Sequence, residues 1–268
     1  MTEGRTNFMK PFDFLVLGEE QRQSELAKIL RSYGQNVIQS ETYQQGTYDA
    51  ILLPVSQTAR YLEENMDFLQ RNQVVYGCHF PSPQKEICEG RGIRFVDYMK
   101  VEGVASKNAV ATAEGAIVEA LMSGRQTIQG SRVLVLGYGC CGEILAHKLS
   151  VWQADVTVAE RKKEKRAKAQ AYGCRAVPFE EWEQEAGEYD FIFNTVPARV
   201  VTEQSLQKVK KDVTLIDIAS RPGGVDFDFC QKNNLCAKLC LGLPGKYAPK
   251  SSALILLEVI EVDFPFTL

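Results

Sequence analysis

Val133-Leu134-Val135-Leu136-Gly137-Tyr138-Gly139-Cys140-Cys141-Gly142 is the stretch on which the reading of this chain turns. Four branched apolar residues lead into a G-x-G-x-x-G loop, and a helical stretch from Gly142 to Leu149 follows it. A strand that passes through such a loop into a helix is the dinucleotide-binding fingerprint. Gly137 makes the tight turn, Gly139 lets the backbone approach a pyrophosphate, and Gly142 allows close packing of helix on strand. The helix start adds free N–H groups and a partial positive charge. The sequence therefore predicts a dinucleotide site at Gly137, Gly139, Cys140, Cys141 and Gly142.

Outward from the loop, the second half alternates strands and helices. Arg132–Leu136, Asp155–Ala159, Phe191–Asn194, Thr214–Ile218 and Ala237–Leu241 read as strands. Lys162–Tyr172 and Glu203–Val209 read as helices, and Ser251–Ile260 as an apolar terminal helix capped by serine. The tail from Glu261 to Leu268 either docks or frays. The first half has the same rhythm. Strand signals lie at Phe12–Leu17, Val37-Ile38, Ala50–Leu53, Val74–Tyr76 and Ile93–Phe95; helical ones lie at Glu20–Ser32 and Thr58–Leu69. Such alternation implies parallel, doubly wound sheets. The Ala-, Val- and Glu-rich stretch Val104–Ser123, with Gly124 beyond it, reads as one long linking helix. Gly115 inside it costs helix stability and marks close packing or the approach of a ligand. The expected organisation is a first α/β domain over 1–103, a linker over 104–124 and a Rossmann domain over 125–249. The end, 250–268, is expected to return to the first domain.

Composition narrows the function classes. The chain has 268 residues, 45% hydrophobic and 24% charged, an ordinary balance for a soluble globular protein. A net charge of −3 offers no basic field for nucleic acid. No apolar run reaches the roughly 18 residues of a membrane span. Residues 1–10 are polar and unlike a signal peptide. Eight cysteines include no C-x-x-C pair and only two histidines accompany them, so no metal site is expected. Scattered thiols of this kind fit a reducing cytoplasm. Cys236 and Cys240 share a strand face and read as core thiols. Cys140 and Cys141 sit at a helix N-terminus, where a thiol's pKa falls; their small size alone also explains them.

The kind of dinucleotide depends on the end of the second strand of this domain. Glu160 stands where an acid holds the ribose 2′-hydroxyl of NAD. Arg161, Lys162, Lys163 and Lys165 follow at once and could hold the 2′-phosphate of NADP. The expectation is NADP, with NAD as the alternative. In open α/β sheets ligands lie beyond the carboxyl ends of the strands. Asn194-Thr195-Val196-Pro197 leaves one such end, and Asp217-Ile218-Ala219-Ser220-Arg221-Pro222-Gly223-Gly224 another. Gly242-Leu243-Pro244-Gly245-Lys246 follows a third, and Ala248-Pro249-Lys250-Ser251 opens the last helix. Three cations, Arg221, Lys246 and Lys250, thus fall at strand or helix ends of this kind.

Four stretches together resemble the family of the dipicolinate synthase A subunit. They are Asn108-Ala-Val-Ala-Thr112-Ala-Glu114-Gly115, the loop Gly137–Gly142, Asp217-Ile-Ala-Ser-Arg-Pro-Gly-Gly-Val-Asp226-Phe227 and Leu243-Pro-Gly-Lys-Tyr-Ala-Pro-Lys250. The resemblance is strong from about residue 100 onward and compatible before it, where the family has a flavodoxin-like substrate domain. The chain departs from the family's pattern at Ala111, where the family has proline, at the Cys140-Cys141 pair, and at Glu160, where the family has a small residue before the arginine. The resemblance implies oxidation of dihydrodipicolinate to dipicolinate with NAD(P)+ during spore formation, in the mother-cell cytoplasm, together with a flavoprotein-like B subunit of dipicolinate synthase.

For such a substrate, a ring with two carboxylates, the chain must position rings and hold anions. Arg221, Lys250 and Lys246 are the candidate carboxylate partners, helped by Ser220. Asn194, Thr195, Val196, Pro197, Ala219 and Ser220 are expected at the cofactor. Thr112 and Glu114 would face the cleft from the linker, with Glu114 or water as base. His147 follows the glycine loop and His79 lies in a loop of the first domain; neither is placed as the acid–base of a hydroxyacid dehydrogenase. Two other readings stay open: a nucleotide-binding protein inactive without its partner, and a different two-domain amino or hydroxy acid dehydrogenase. A homo-oligomer, such as a dimer, is expected by analogy.

Overall fold

In the computed structural model, which describes residues 10–266, the first strand, Asp13–Leu17 (β1), is buried on both faces. Phe14 and Val16 enter one apolar cluster, and Leu15 and Leu17 enter another. Side chains alternate across a strand, so both faces must be covered by helices, as in a parallel sheet. The chain continues through Gln21–Ser32 (α1), Asn36–Ser40 (β2), Ala50–Leu52 (β3), Thr58–Asn65 (α2), Val74–Gly77 (β4), Ser82–Gly90 (α3) and Arg94–Asp97 (β5). The five strands are all parallel, in the order β2-β1-β3-β4-β5. This is flavodoxin-like winding.

Val104–Ser123 (α4) follows, then Arg132–Leu136 (β6), Cys140–Val151 (α5), Asp155–Ala159 (β7), Lys163–Ala171 (α6), Arg175–Val177 (β8) and Phe191–Asn194 (β9). Glu203–Leu206 (α7), Thr214–Asp217 (β10), Phe227–Lys232 (α8), Cys236–Leu239 (β11), Leu243–Tyr247 (α9) and Pro249–Ile260 (α10) complete the chain. The second sheet is also all parallel, in the order β11-β10-β9-β6-β7-β8. Counted from β6, that is the Rossmann order, with the reversal between β6 and β9.

The chain divides into two units, Met1–Ala105 with Ala248–Leu268, and Ser106–Tyr247. Within the first, Ala253, Leu256, Leu257 and Ile260 of α10 join Phe14, Val16, Leu26 and Leu30 in one core. Each fully buried branched side chain contributes about 1.5–3 kcal/mol, so this helix stabilises that unit by several kcal/mol. The tail docks as far as it is described: Phe264 packs edge-on against Phe12 at 5.0 Å and Phe14 at 5.3 Å. Residues 1–9 and 267–268 lie outside the described residues, and with them most of the polar N-terminal stretch and the last of the tail. Within the second unit, Val133 and Val135 pack under α4 and α5, and Leu134 and Leu136 pack on the opposite side with Trp182 and Leu206.

Several boundaries differ from the sequence-based expectation. The terminal helix starts at Pro249, not Ser251, with Ala248 as its N-cap and no side-chain cap. Proline's fixed φ suits a first helical position and lacks only an N–H that has no partner there. The helix expected over 58–69 ends at Asn65 and tightens into a 3-10 turn over 66–68. The segments α3, β8, α8 and α9 were not expected; all four are nine residues or fewer, too short for a clear period. Cys236 opens β11, while Cys240 lies just past its end. Among the described residues, no helix is long and apolar enough to cross a membrane.

Candidate functional site

The exit of β6 shows two kinds of glycine. Gly137 has φ +88°, in the left-handed region that favours glycine, and a Cβ there would lie 2.7 Å from Thr195 Oγ1. A Cβ on Gly142 would lie 2.2 Å from the Gly137 carbonyl oxygen. Both glycines are required by the protein's own packing. Gly139 is not: its φ of −86° is ordinary, and a Cβ would meet nothing within 4 Å. Gly139 is also the N-cap of the twelve-residue α5, with no side chain capping the helix. Free N–H groups and the positive end of the helix dipole therefore face open space. A pyrophosphate requires such a cradle, and the residues present fit a dinucleotide.

β7 pairs with β6 and delivers Glu160 beside this loop. Glu160 is 8% exposed. Its Oε2 accepts the Tyr138 N–H at 2.9 Å and its Oε1 accepts the Lys162 N–H at 3.0 Å; Lys165 Nζ lies 3.9 Å away. Burial alone would raise this carboxyl's pKa, but the N–H groups of Lys162 and Tyr138 and the charge of Lys165 outweigh it and hold it below the usual carboxylate range. The carboxylate is thus ionised and turned toward the glycine loop. Arg166, which the sequence did not single out, donates to the Glu160 carbonyl at 2.8 Å and the Arg161 carbonyl at 2.6 Å. Arg161 and Lys162 keep exposed side chains at the same strand exit.

The exits of β9 and β10 are tied to that of β6. Thr195 donates both its N–H, at 3.0 Å, and its hydroxyl, at 2.9 Å, to the Leu136 carbonyl. Asn194 is 1% exposed and Asp217 is fully buried. Asp217 Oδ1 accepts from Asn194 Nδ2 at 2.9 Å and from the Ala219 N–H at 3.0 Å, and its Oδ2 accepts the Gly224 N–H at 2.6 Å. Asn194 in turn closes on Val196 through both its backbone groups. One buried carboxylate therefore holds the whole 219–224 loop, at whose tip Ser220 and Arg221 are exposed. The Arg221–Pro222 peptide bond in this loop is cis. A Cβ on Gly224 would lie 2.4 Å from Asn194 Nδ2, so the loop and the Asn194-to-Pro197 turn are in close contact. The structure thus brings Gly137–Gly142, Glu160–Lys162, Asn194–Pro197 and Ala219–Arg221 to one edge of one sheet.

Other expected residues have different surroundings. Lys246 Nζ is 2.6 Å from Glu119 Oε1, which also accepts from Tyr247 Oη at 2.8 Å; Lys238 Nζ lies 2.5 Å from Glu119 Oε2. Glu119 is 2% exposed. Burial pulls its pKa up, but the bonds from Lys238, Lys246 and Tyr247 prevail and hold it down at about 2. Lys246 is therefore engaged in fastening α9 to α4. Gly115 belongs to the same contact: a Cβ there would lie 2.9 Å from Leu243 Cβ and from Tyr247 Cδ2. The close approach that Gly115 signals is helix packing. Glu114 is exposed and paired with Lys148 at 2.8 Å. The Thr112 hydroxyl donates to the Asn108 carbonyl at 3.0 Å.

Of the two cysteines in the loop, Cys140 is exposed. Burial pushes the Cys141 thiol up, outweighing a hydrogen bond with Thr112, so the lowering expected of a helix N-terminus does not hold there. His147 is exposed and packs edge-on against Tyr172 at 5.9 Å. Lys250 belongs to the other unit, on the first turn of α10, and is exposed. Two residues that organise the site escaped the sequence reading. Asp217 was seen only as part of a motif, although a carboxylate ending a strand before a Gly-Gly turn is a usable signal. Glu119 sits four residues after Gly115, and only the fold shows that Lys238, Lys246 and Tyr247 meet it.

Residues 105–228 match the NAD-binding domain of the D-isomer specific 2-hydroxyacid dehydrogenases. The chain is 29% identical to the dipicolinate synthase A subunit of Bacillus subtilis (strain 168) over 229 residues, 80% of this chain and 76% of that one. The crystal structure of the dipicolinate synthase A subunit from Bacillus halodurans superposes with a TM-score of 0.84 at 28% identity, covering 96% of this chain and 98% of that one. The A chain of dipicolinate synthase from Bacillus subtilis shares the fold, with a TM-score of 0.79 at 23% identity over 96% of each chain. This chain is an oxidoreductase of dehydrogenase type with a nicotinamide-dinucleotide-binding Rossmann domain, and in sequence and fold it is similar to the A subunit of dipicolinate synthase.

Proposed function

We propose that the chain oxidises dihydrodipicolinate to dipicolinate. The observation that carries this reading is the loop over 219–224, anchored by Asp217, which presents Ser220 and Arg221 on the same sheet edge as the glycine loop. The reaction removes one hydride and one proton from a ring bearing two carboxylates. A nicotinamide ring bound at this edge supplies the hydride acceptor. Arg221 offers a planar guanidinium that matches a carboxylate in two-point contact, with the Ser220 hydroxyl beside it. Lys246 contributes by holding α9 in place, and Thr112 lines the site from α4. Glu114 is the candidate base. Because gain of aromaticity makes loss of the proton easy, water is a sufficient acceptor as well.

NADP is the proposed cofactor, supported by the exposed Arg161 and Lys162 at the β7 exit and by Lys165 on α6. NAD has one observation in its favour: the ionised Glu160 faces the loop, where it suits a ribose 2′-hydroxyl and repels a 2′-phosphate. The flavoprotein-like B subunit of dipicolinate synthase is the proposed partner, in the mother cell of a spore-forming bacterium. The test is a coupled assay. The dihydrodipicolinate-forming step is supplied, NADP+ or NAD+ is added, and the ultraviolet absorbance of dipicolinate is followed with and without the B subunit. Formation of product with either cofactor is expected. A folded chain that makes none, even with the B subunit, overturns the reading.

A further inference from the structure

The turn that leaves β7 carries both features that bear on the choice of dinucleotide, Glu160 and the basic run after it, yet its backbone has few bonds of its own. Ala159 ends the strand and Lys163 begins α6, with Lys162 as N-cap and no side-chain cap. The Glu160 N–H still reaches the Val177 carbonyl at 3.2 Å, which keeps that end of the turn on the sheet. Beyond it the ladder stops. Among the described residues, no backbone N–H reaches the Glu160 or the Arg161 carbonyl. A turn of this kind opens easily unless side chains satisfy it.

Arg166 supplies what is missing. It stands early in α6, and three consecutive carbonyls end on it. Its backbone N–H donates to Lys162 at 3.1 Å, and its Nη1 donates to Glu160 at 2.8 Å and to Arg161 at 2.6 Å. Nη1 carries two N–H groups, and the turn uses both. Charge-assisted bonds of this kind are roughly twice as strong as neutral ones. The Glu160 carboxylate depends on the turn so held. One oxygen accepts the Lys162 N–H, two residues on, at 3.0 Å, a bond that closes only while the turn keeps its shape. The other accepts the Tyr138 N–H of the glycine loop at 2.9 Å. Neighbouring cations have other partners. Lys165 Nζ lies 3.9 Å from Glu160 Oε2, and Lys168 pairs with Glu143 at 2.6 Å. Among the described residues, no carboxylate pairs with Arg166, so its removal strands no acid.

We propose that Arg166 is a positioning residue of the dinucleotide site. By holding the Glu160 and Arg161 carbonyls it aims the Glu160 carboxylate at the adenosine ribose, and so sets the balance between NAD+ and NADP+. The role rests on the reading of Glu160 as the partner of that ribose. It acts through Glu160 and not by contact with the nucleotide.

Calorimetric titration of the full chain with NAD+ and with NADP+ tests this role without any substrate. Arg166→Met keeps the length and the apolar stem and removes both side-chain donors. NAD+ affinity should fall about tenfold, as loss of one good hydrogen bond to the ribose does. NADP+ affinity should stay nearly unchanged, because a freed Glu160 no longer stands against the 2′-phosphate. Arg166→Lys, which keeps a charge and its donors, should recover most of the NAD+ affinity. Should circular dichroism show Arg166→Met unfolded, Arg166→Gln takes its place. In a Glu160→Ala background, Arg166→Met should change the ratio of the two affinities no further, since the residue it acts through is gone. Unchanged affinities, an equal loss for both nucleotides, or a ratio change that persists in full without Glu160 overturns the proposal. A larger loss for NADP+ than for NAD+ makes the guanidinium a direct partner of the 2′-phosphate and overturns it too. An unchanged ratio in Glu160→Ala alone overturns the reading of Glu160 itself, and this role with it.

Discussion

Gly139 and Gly142 lie in one loop for different physical reasons, and an alanine at each should separate them. At Gly142 the new Cβ would stand 2.2 Å from the Gly137 carbonyl oxygen, a backbone atom that can yield only if strand and helix part. Overpacking of this kind costs about 1–3 kcal/mol, and the better helix propensity of alanine offsets at most about 1 kcal/mol. A net loss of about 2 kcal/mol lowers the melting temperature by roughly 4–8 °C in a protein of this size. At Gly139 the Cβ meets no protein atom within 4 Å, and φ is already one that alanine adopts. Stability should change by less than about 1 kcal/mol, because the freedom lost by the unfolded chain is offset by the poorer fit of alanine to the N-cap position that Gly139 fills. The open space in front of Gly139 is the proposed seat of the pyrophosphate. A methyl group there displaces hydrogen bonds to a charged ligand, worth about 1.5–3 kcal/mol. Affinity for NAD+ or NADP+ should then fall roughly 10- to 100-fold. Thermal melts by circular dichroism and nucleotide titration by calorimetry read the two effects separately. Unchanged nucleotide affinity in Gly139→Ala would refute the placement of the pyrophosphate. A loss of stability in Gly139→Ala equal to that in Gly142→Ala would refute the distinction itself.

Glu160→Ala should raise the ratio of NADP+ to NAD+ affinity by about tenfold or more, since like charges a few ångströms apart repel by about 1 kcal/mol per pair even in water; equal ratios in variant and wild type would remove Glu160 from the ribose site. Glu119→Gln should cost about 2 kcal/mol at neutral pH, once the half-exposure of Lys238 and Lys246 is discounted. The folded-state pKa of Glu119, about 2, lies below the ordinary value of 4.5, so its stabilisation is complete above about pH 4.5 and is lost as pH falls toward 2. Denaturant titrations across that window should show a shallower acid loss in Glu119→Gln than in wild type. Asp217→Ala leaves Asn194 Nδ2 and the N–H groups of Ala219 and Gly224 without their acceptor, at about 1–3 kcal/mol for each buried donor. Hydrogen exchange at Ala219 and Gly224 should accelerate by at least about 100-fold, and slow exchange there in the variant would show that the loop has another anchor.

The two parallel α/β units, the glycine loop and the residues at the strand exits are legible in the sequence because they rest on local patterns. Val133 to Leu136 is a buried strand wherever it lies, Gly137 needs φ above zero whatever surrounds it, and a strand followed by a helix start makes an anion cradle by itself. The similarity to the dipicolinate synthase A subunit was legible for the same reason, since its motifs are short continuous runs. The tertiary structure decided which charges are spent. Lys246 and Glu119 are 127 positions apart, and nothing local says that one neutralises the other. Asp217 reads as one acid among many until Asn194, Ala219 and Gly224 converge on it. Glu160 could have faced water; two backbone N–H groups, one of them 22 positions away, turn it onto the glycine loop. Local sequence sets where the backbone turns and which residues are apolar. Whether a charged side chain is free to meet a ligand depends on partners that only the fold brings within a few ångströms.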